Sequence, residues 1–551
     1  MKYQLFALFA LAIIPLINWN RRQEAGFYLI TLASAVLVLQ SVWTGFSIPW
    51  DPVTQAAAGL SLYLLSSVVW STHYRQSIFD AVNLSACVFL FLVLRMVPAE
   101  ISLSAVAITA SGISSGLILD KLKLVPANKL IGGGNHKTFF GNTNHTGFYA
   151  AVGVMASAWL IFNQYFQVLF MFCAALCIVG VVVSRCRSAI ATLITSVMVY
   201  GILIGHWLTV TLFSVAATLL IHQIMMKMGS MQAWRKSLKH RASFMSLAGY
   251  LAGQRPIFGW GLRTYRVHAP DVSRILKRKK WWNDLRSLND NKPAPVITHR
   301  VHCDPLEWVV ETGLVGLTIL ATVAASLTWE DPVLSAAMIG IILGSCLFFP
   351  FREAHILPGI LAIAAVMAPA GSGIAGPWIQ IAVTASILGM LVRFGKRFNG
   401  IIYLWRLKRS RYFDKKNVKK HTMLLNKMID SDPYNNSYLA FGYWFYHSDL
   451  GKTDIAFKMA SRAIENFDGE KVKHQMYDSY GKYALALGGP NIAENAFRHT
   501  LDIEPDYKPT LDAMVIVNKL QAKILNLQKK QEKDNAKRNR HRELSPNAAR
   551  S

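Results

Sequence analysis

Two arginines, a histidine and a Gly/Asn-rich run are the residues of this chain whose types and spacing could do chemistry. The arginines stand in Ser184-Arg185-Cys186-Arg187-Ser188-Ala189, at the lip of two adjacent apolar runs. A guanidinium there is expensive unless it is paired or wetted. It can snorkel to headgroups, or it can fork onto a phosphate, where bidentate bonding favours Arg over Lys. The histidine is His302, in His299-Arg300-Val301-His302-Cys303-Asp304, where a long polar loop re-enters an apolar run. An imidazole in that place can act as a base near neutral pH, or simply make a structural hydrogen bond. The third segment runs from Gly132-Gly133-Gly134 through Asn142-Thr143-Asn144-His145 to Gly147. Its glycines permit tight turns and its amides suit anions at a helix start; the spacing excludes a Walker A loop, and a capped re-entrant turn is the plainer reading.

These segments need elements to hold them. By hydropathy about thirteen apolar spans are expected: Tyr3–Ile17, Ala25–Val42, Thr54–Trp70, Ile78–Leu94, Ile101–Leu119, Phe148–Phe162, Phe166–Val183, Ala189–Ile204, Trp207–Met225, Leu306–Leu327, Val333–Phe349, Ile356–Ala368 and Trp378–Leu391. The first span lacks a cleavage signal and reads as a retained anchor rather than a signal peptide. Between the ninth and tenth spans lies a basic hydrophilic loop, 227–304. With the N-terminus inside, every odd-numbered span ends outside. The loops after spans five, seven, nine and eleven then share the outer face, and these carry the unusual polar residues.

The composition agrees. Of 551 residues 53% are hydrophobic and 16% charged, with mean hydropathy +0.30, which excludes a disordered chain, a disulfide scaffold and an ordinary cytosolic enzyme. The net charge of +27 would suggest nucleic acid in a soluble protein. Beside a membrane it points to lipid headgroups or an anionic lipid-linked substrate, with no nucleic acid. The six cysteines show no metal-binding spacing.

Past the spans, Arg393–Lys420 is a basic flank and a helical region follows. Asp454-Ile455-Ala456 and Asn491-Ile492-Ala493 open similar helices. Gly481, Gly488, Ala493, Phe497 and Pro505 fit a tetratricopeptide pattern, as do Gly451, Ala456 and Ala463 in the first copy. The expected organisation is a membrane domain over 1–405, a tetratricopeptide-like domain over 406–528 and a disordered charged tail over 529–551. An odd span count puts the appended region outside, whereas its basic flank argues for inside.

Together the pieces resemble the superfamily of O-antigen ligases, O-antigen polymerases and protein O-oligosaccharyltransferases. Phe140-Gly141-Asn142-Thr143-Asn144-His145 is similar to that family's Gly-Asn-x-Asn-His, and Arg187-Ser188-Ala189 to its Ser-Arg-Gly-Ala element. Arg241 followed by Pro256-Ile257-Phe258-Gly259-Trp260-Gly261-Leu262-Arg263-Thr264-Tyr265 is similar to an Arg and a Pro-x-x-Gly-x-Gly run ending in an aromatic. His302-Cys303-Asp304-Pro305-Leu306-Glu307, leading into Glu311-Thr312-Gly313-Leu314-Val315-Gly316, is similar to its His-Asn-x-x-Leu and Glu-Thr-Gly-Leu-x-Gly runs. Cys303 stands where the family has Asn, and Arg274–Lys280 with Trp281-Trp282 has no counterpart.

The resemblance implies an all-α, GT-C-like polytopic protein of the bacterial inner membrane with its active site on the periplasmic face. The reaction it implies moves a glycan en bloc from an undecaprenyl pyrophosphate carrier to an acceptor hydroxyl. It implies His302 as general base, and Arg187, Arg241, Arg185 and Arg263 as pyrophosphate-binding residues. Asn142, Asn144, His145, Gly259, Gly261, Tyr265 and Asp304 would shape the site. No metal or cofactor is implied. The acceptor is a lipid or a protein hydroxyl, or a growing glycan if the chain is a polymerase. The helical appendix would bind a protein partner. A flippase for the same lipid-linked glycan is the reading from another class. A Cys186–Cys303 disulfide is conceivable in an oxidising compartment, though two unpaired thiols are the favoured expectation.

Overall fold

A computed structural model describes residues 11, 50–124, 142–206, 208, 210–212, 215, 231–276, 300–348, 350–353, 356–369, 403, 418–431, 436–446, 453–465, 474–486, 489–503 and 507–543. The chain divides into two compact units, Met1–Phe398 and Asn399–Ser551. Every regular element among the described residues is helical.

In the first unit the helices are α1 (Pro52–Trp70), α2 (Tyr74–Leu94), α3 (Ala99–Lys121), α4 (Thr143–Phe162), α5 (Gln167–Ser184), α6 (Arg187–Leu203), α7 (Met231–Gln254), α8 (Tyr265–Leu276), α9 (Asp304–Ala325), α10 (Pro332–Ser345) and α11 (Leu357–Val366). Five of them, α1, α3, α4, α5 and α9, are long and apolar enough to cross a membrane. The apolar part of α2, with α6, α10 and α11, is shorter. The chain is an all-α, multi-pass membrane protein. Nine of the expected spans coincide with these helices. Those at Tyr3–Ile17, Ala25–Val42 and Trp378–Leu391 lie outside the described residues, as does most of Trp207–Met225.

Sequence chemistry fixes the helix ends. Asp51 caps α1 by accepting from the Thr54 amide at 2.9 Å, with Pro52 in the first turn. Asp331 caps α10 by accepting from the Val333 and Leu334 amides. Small residues set the spacing between helices. A β-carbon on Gly153 would lie 2.3 Å from that of Ala110, and one on Gly180 would lie 2.5 Å from Ser114 Oγ. Helices α3, α4 and α5 therefore approach closely, as packing without a hydrophobic driving force requires. One end of the bundle is closed by Arg95, which pairs with Asp51 and donates to the Pro369 carbonyl at 2.8 Å.

The second unit holds α12 (Val418–Ser431), α13 (Asn436–Trp444), α14 (Thr453–Glu465), α15 (His474–Ala486), α16 (Pro490–Ile503) and α17 (Lys508–Glu543). Helices α12 to α14 share a core with Tyr477 of α15, and α15 to α17 close around Phe497. Gly481 lets Phe497 in, since a β-carbon there would meet its ring at 2.5 Å. One difference from the expected organisation is clear. The tail expected to be disordered from Lys529 continues α17 through Glu543. Lys, Gln, Glu, Ala and Arg, all strong helix formers, dominate this stretch, and no Pro or Gly interrupts it before Pro546.

Candidate functional site

The polar segments meet at one end of the first unit, opposite the Arg95 closure. The join is built from backbone. Helix α9 is broken at Gly313, whose φ is +68°. A break inside a membrane helix leaves amides and carbonyls without partners, at a cost of several kcal/mol each in hydrocarbon. The 256–261 loop supplies the partners. Trp260 and Gly261 amides donate to the Val310 and Glu311 carbonyls at 2.9 Å. The Leu314 and Val315 amides donate to the Pro256 and Ile257 carbonyls at 2.8 and 3.2 Å. Tyr63 Oη on α1 donates to the Thr312 carbonyl at 2.5 Å. The Pro-x-x-Gly-x-Gly run and the Glu-Thr-Gly-Leu run are thus two halves of one structure. Gly259 (φ +69°) and Gly261 (φ +103°) serve this contact, and a β-carbon on Gly261 would strike Ser71.

His302 lies just before α9, at φ +62°, between the buried residues Val301 and Cys303. Its ring stacks on Phe244 of α7 with centroids 5.7 Å apart. Arg241 is three residues before Phe244 and therefore on the same helix face. Burial first, then the charge on Arg241, push the His302 pKa down to about 4, while Glu307 pulls the other way. His302 is consequently a neutral imidazole at neutral pH. The Arg241 charge also acts on Cys186 and Arg187. Its Nη1 donates to the Leu347 carbonyl at 2.7 Å.

The first turns of α4, just past the Asn142–His145 run, pack on the arginine segment at Gly147. A β-carbon on Gly147 would come within 2.1 Å of Ser184 Oγ and 2.6 Å of Cys186 Cβ. Asn142 is the N-cap of α4, accepting from the Asn144 amide at 2.9 Å. Asn144 is exposed, Arg185 is exposed with φ +56°, and Arg187 is half-buried. His145 Nδ1 is 3.4 Å from Glu353 Oε2, and its ring meets Phe348 edge-on. The run at 132–141 lies outside the described residues.

Other expected residues have clear structural partners. Arg263 faces Asp80 at 3.6 Å. Asp304 is buried and its Oδ2 accepts from the Phe351 amide at 2.8 Å. Tyr265 is 1% exposed and packs with Leu247, Leu251, Val301 and Val310. All six cysteines are free thiols.

Three residues to which the sequence assigned no role, Glu307, Arg352 and Asp80, hold the site. Glu307 accepts from Arg300 Nη1 at 2.8 Å and from the Val301 amide at 2.9 Å, pinning the chain one residue before His302. Burial opposes the charge on Arg300, but Glu307, then Asp80 and Glu353, outweigh it and hold its pKa above the ordinary value. Arg352, 2% exposed, lies 2.8 Å from Glu311 and 3.9 Å from Asp80, with its guanidinium over the Trp308 ring. Asp80 is shared with Arg263. The signal for Asp80 and Arg352 was a charge inside or beside an apolar run.

Residues 142–321 match the family model described as O-Antigen ligase. That stretch covers the Asn142 cap, the arginine segment, Arg241, the loop and the broken helix. Over that stretch, about a third of its length, the chain is similar to the O-antigen ligase family. No curated protein matches the chain. The match supports a glycan-transferring ligase or polymerase class, with a lipid-linked glycan as substrate and a membrane setting. Arg352, and the whole segment Leu347–Glu353 that receives Arg241, Asp304 and His145, lie beyond the matched residues.

Proposed function

We propose that this protein transfers a glycan from a polyprenyl pyrophosphate carrier to an acceptor hydroxyl, as a ligase or oligosaccharyltransferase at the periplasmic face of the inner membrane. The observation that carries this reading is the shared face of α7, where the Arg241 charge acts on a neutral His302. Arg241 and Arg187 bind the pyrophosphate. The acceptor oxygen attacks the anomeric carbon, its proton passes to His302, and the bond to the carrier phosphate breaks with its electron pair on the pyrophosphate. Fixed guanidinium groups stabilise the charge that develops there in a low-dielectric site. A single displacement inverts the anomeric centre.

The low proton affinity of His302 fits this order of events. Before substrate binds, burial and Arg241 keep the imidazole neutral and ready to accept. A bound pyrophosphate offsets the Arg241 charge and raises the proton affinity of the ring when it is needed. Asn142 serves the same site indirectly, by starting α4 where it packs on Cys186.

Reconstitution with a purified carrier-linked glycan and three acceptors, lipid A–core, a Ser/Thr/Tyr protein and a second carrier-linked glycan, tests the reading. Mass gain on one of them names the acceptor and separates ligase, oligosaccharyltransferase and polymerase. His302→Ala and Arg241→Ala should abolish transfer while expression persists. Lost glycan translocation with no transfer in the intact protein would replace this reading with a flippase.

A further inference from the structure

Helix α17 outruns its own unit. It packs on α15 and α16 through Ala513, Met514 and Val517, and Thr510 Oγ1 donates to Asp478 at 2.6 Å. Further along, Gln521 Nε2 donates to Asn491 Oδ1 at 3.1 Å and to Glu494 Oε2 at 2.8 Å. Asn491 is the second residue of α16, so in this antiparallel pair the partner helix ends opposite Gln521. Residues 522–543 project beyond it for about 33 Å at 1.5 Å per residue.

The helix is patterned on both sides of Gln521. Ile516, Leu520, Ile524 and Leu527 follow 4-4-3 spacing and so share a face, beside the one that packs on α16. All four are exposed; Ile516 is 53% and Leu527 54% exposed. Lys519, Lys523, Lys530 and Lys537, spaced by four, seven and seven, form an exposed row along the other flank. Asp512 and Asp534 are the acids near that row. Over 529–543 seven lysines and arginines stand against three acids.

We propose that this face of α17 is a lipid-docking surface that lies on anionic headgroups, with the apolar row entering the interface and the lysines reaching phosphate. A second copy is a poor occupant, because pairing along the apolar row brings two lysine rows together. A bilayer is tethered to the same chain, so its effective concentration is high. A helix of low overall hydrophobicity with an apolar stripe and a lysine flank suits an interface, where lysine stems lie along apolar surface while their heads stay wet. This assignment is independent of the transfer chemistry.

The test uses the full chain in nanodiscs, one set of phosphatidylcholine alone and one of an equal mixture with phosphatidylglycerol, read by hydrogen exchange. Peptides covering 515–537 should exchange about tenfold more slowly in the anionic discs, and added salt should lift the protection. Replacing Lys519, Lys523, Lys530 and Lys537 together by Gln should erase the difference while exchange across 474–503 is unchanged, showing the unit still folded. Equal exchange in both discs would overturn the proposal. So would protection that follows protein concentration rather than lipid, which would give the face to a second copy.

Discussion

Gly313 and Ile257 touch backbone to backbone: a β-carbon on Gly313 would lie 2.1 Å from the Ile257 carbonyl oxygen. Two sequence runs that each look like a weak glycine motif thereby become one object, a broken helix whose missing hydrogen bonds are made by a loop. The placement of His302, eleven residues before the break, depends on that object.

Gly313→Ala should therefore be severe. It adds a clash against backbone and a side chain at φ +68°. Left-handed strain alone costs about 1–3 kcal/mol, and the loop must also move. Thermal unfolding in detergent should show a lower Tm together with lost transfer. Gly249→Ala, with open space around its α-carbon, should leave both unchanged.

The pH profile follows from His302. The base of the proposed transfer must be unprotonated, and burial with Arg241 holds the His302 pKa down to about 4 rather than the ordinary 6.5. Transfer measured as kcat/KM should hold as pH falls through 6 and decline only as it approaches about 4. Arg241→Gln, besides lowering the rate, should move that acid limb upward, toward the ordinary histidine value, because one of the forces opposing protonation is gone.

Glu307→Gln should move the limb the other way. Glu307 favours the protonated imidazole, so removing its charge makes His302 harder to protonate. It also loosens Arg300 and the Val301 amide, and misplacing a reacting group by about 1 Å can cost 10²-fold in rate. Opposite limb shifts in Arg241→Gln and Glu307→Gln would separate electrostatic tuning from simple misfolding.

Arg352→Met should destabilise the first unit by about 3–5 kcal/mol, since it leaves the buried carboxylate of Glu311 beside an uncharged side chain, while Asp80 keeps Arg263. Arg352→Lys keeps the charge but cannot stack on Trp308 or reach both acids as a fork, and should fall between. Differential unfolding of the purified variants measures both. Unchanged stability in Arg352→Met would remove this arginine from the framework.

Hydropathy runs and capping residues are local, and so the sequence alone determined where nine described helices lie, that the chain is a multi-pass all-α protein, and that the polar motifs fall at helix ends. It also carried the superfamily resemblance. Pairing is not local. That Asp80 on α2 answers both Arg263 and Arg352, that Glu307 grips Arg300, and that Leu347–Glu353 receives Arg241, Asp304 and His145 follow only from how the helices stand beside one another. The same cause made Tyr265 a core residue, whereas the Asn142 cap is a local bond to the Asn144 amide. In α17 tertiary structure decided the reverse. The partner helix ends opposite Gln521, and an apolar row whose spacing is readable in the sequence is left exposed, Ile516 and Leu520 because they lie beside the packed face and Ile524 and Leu527 because no described helix of the unit runs alongside them.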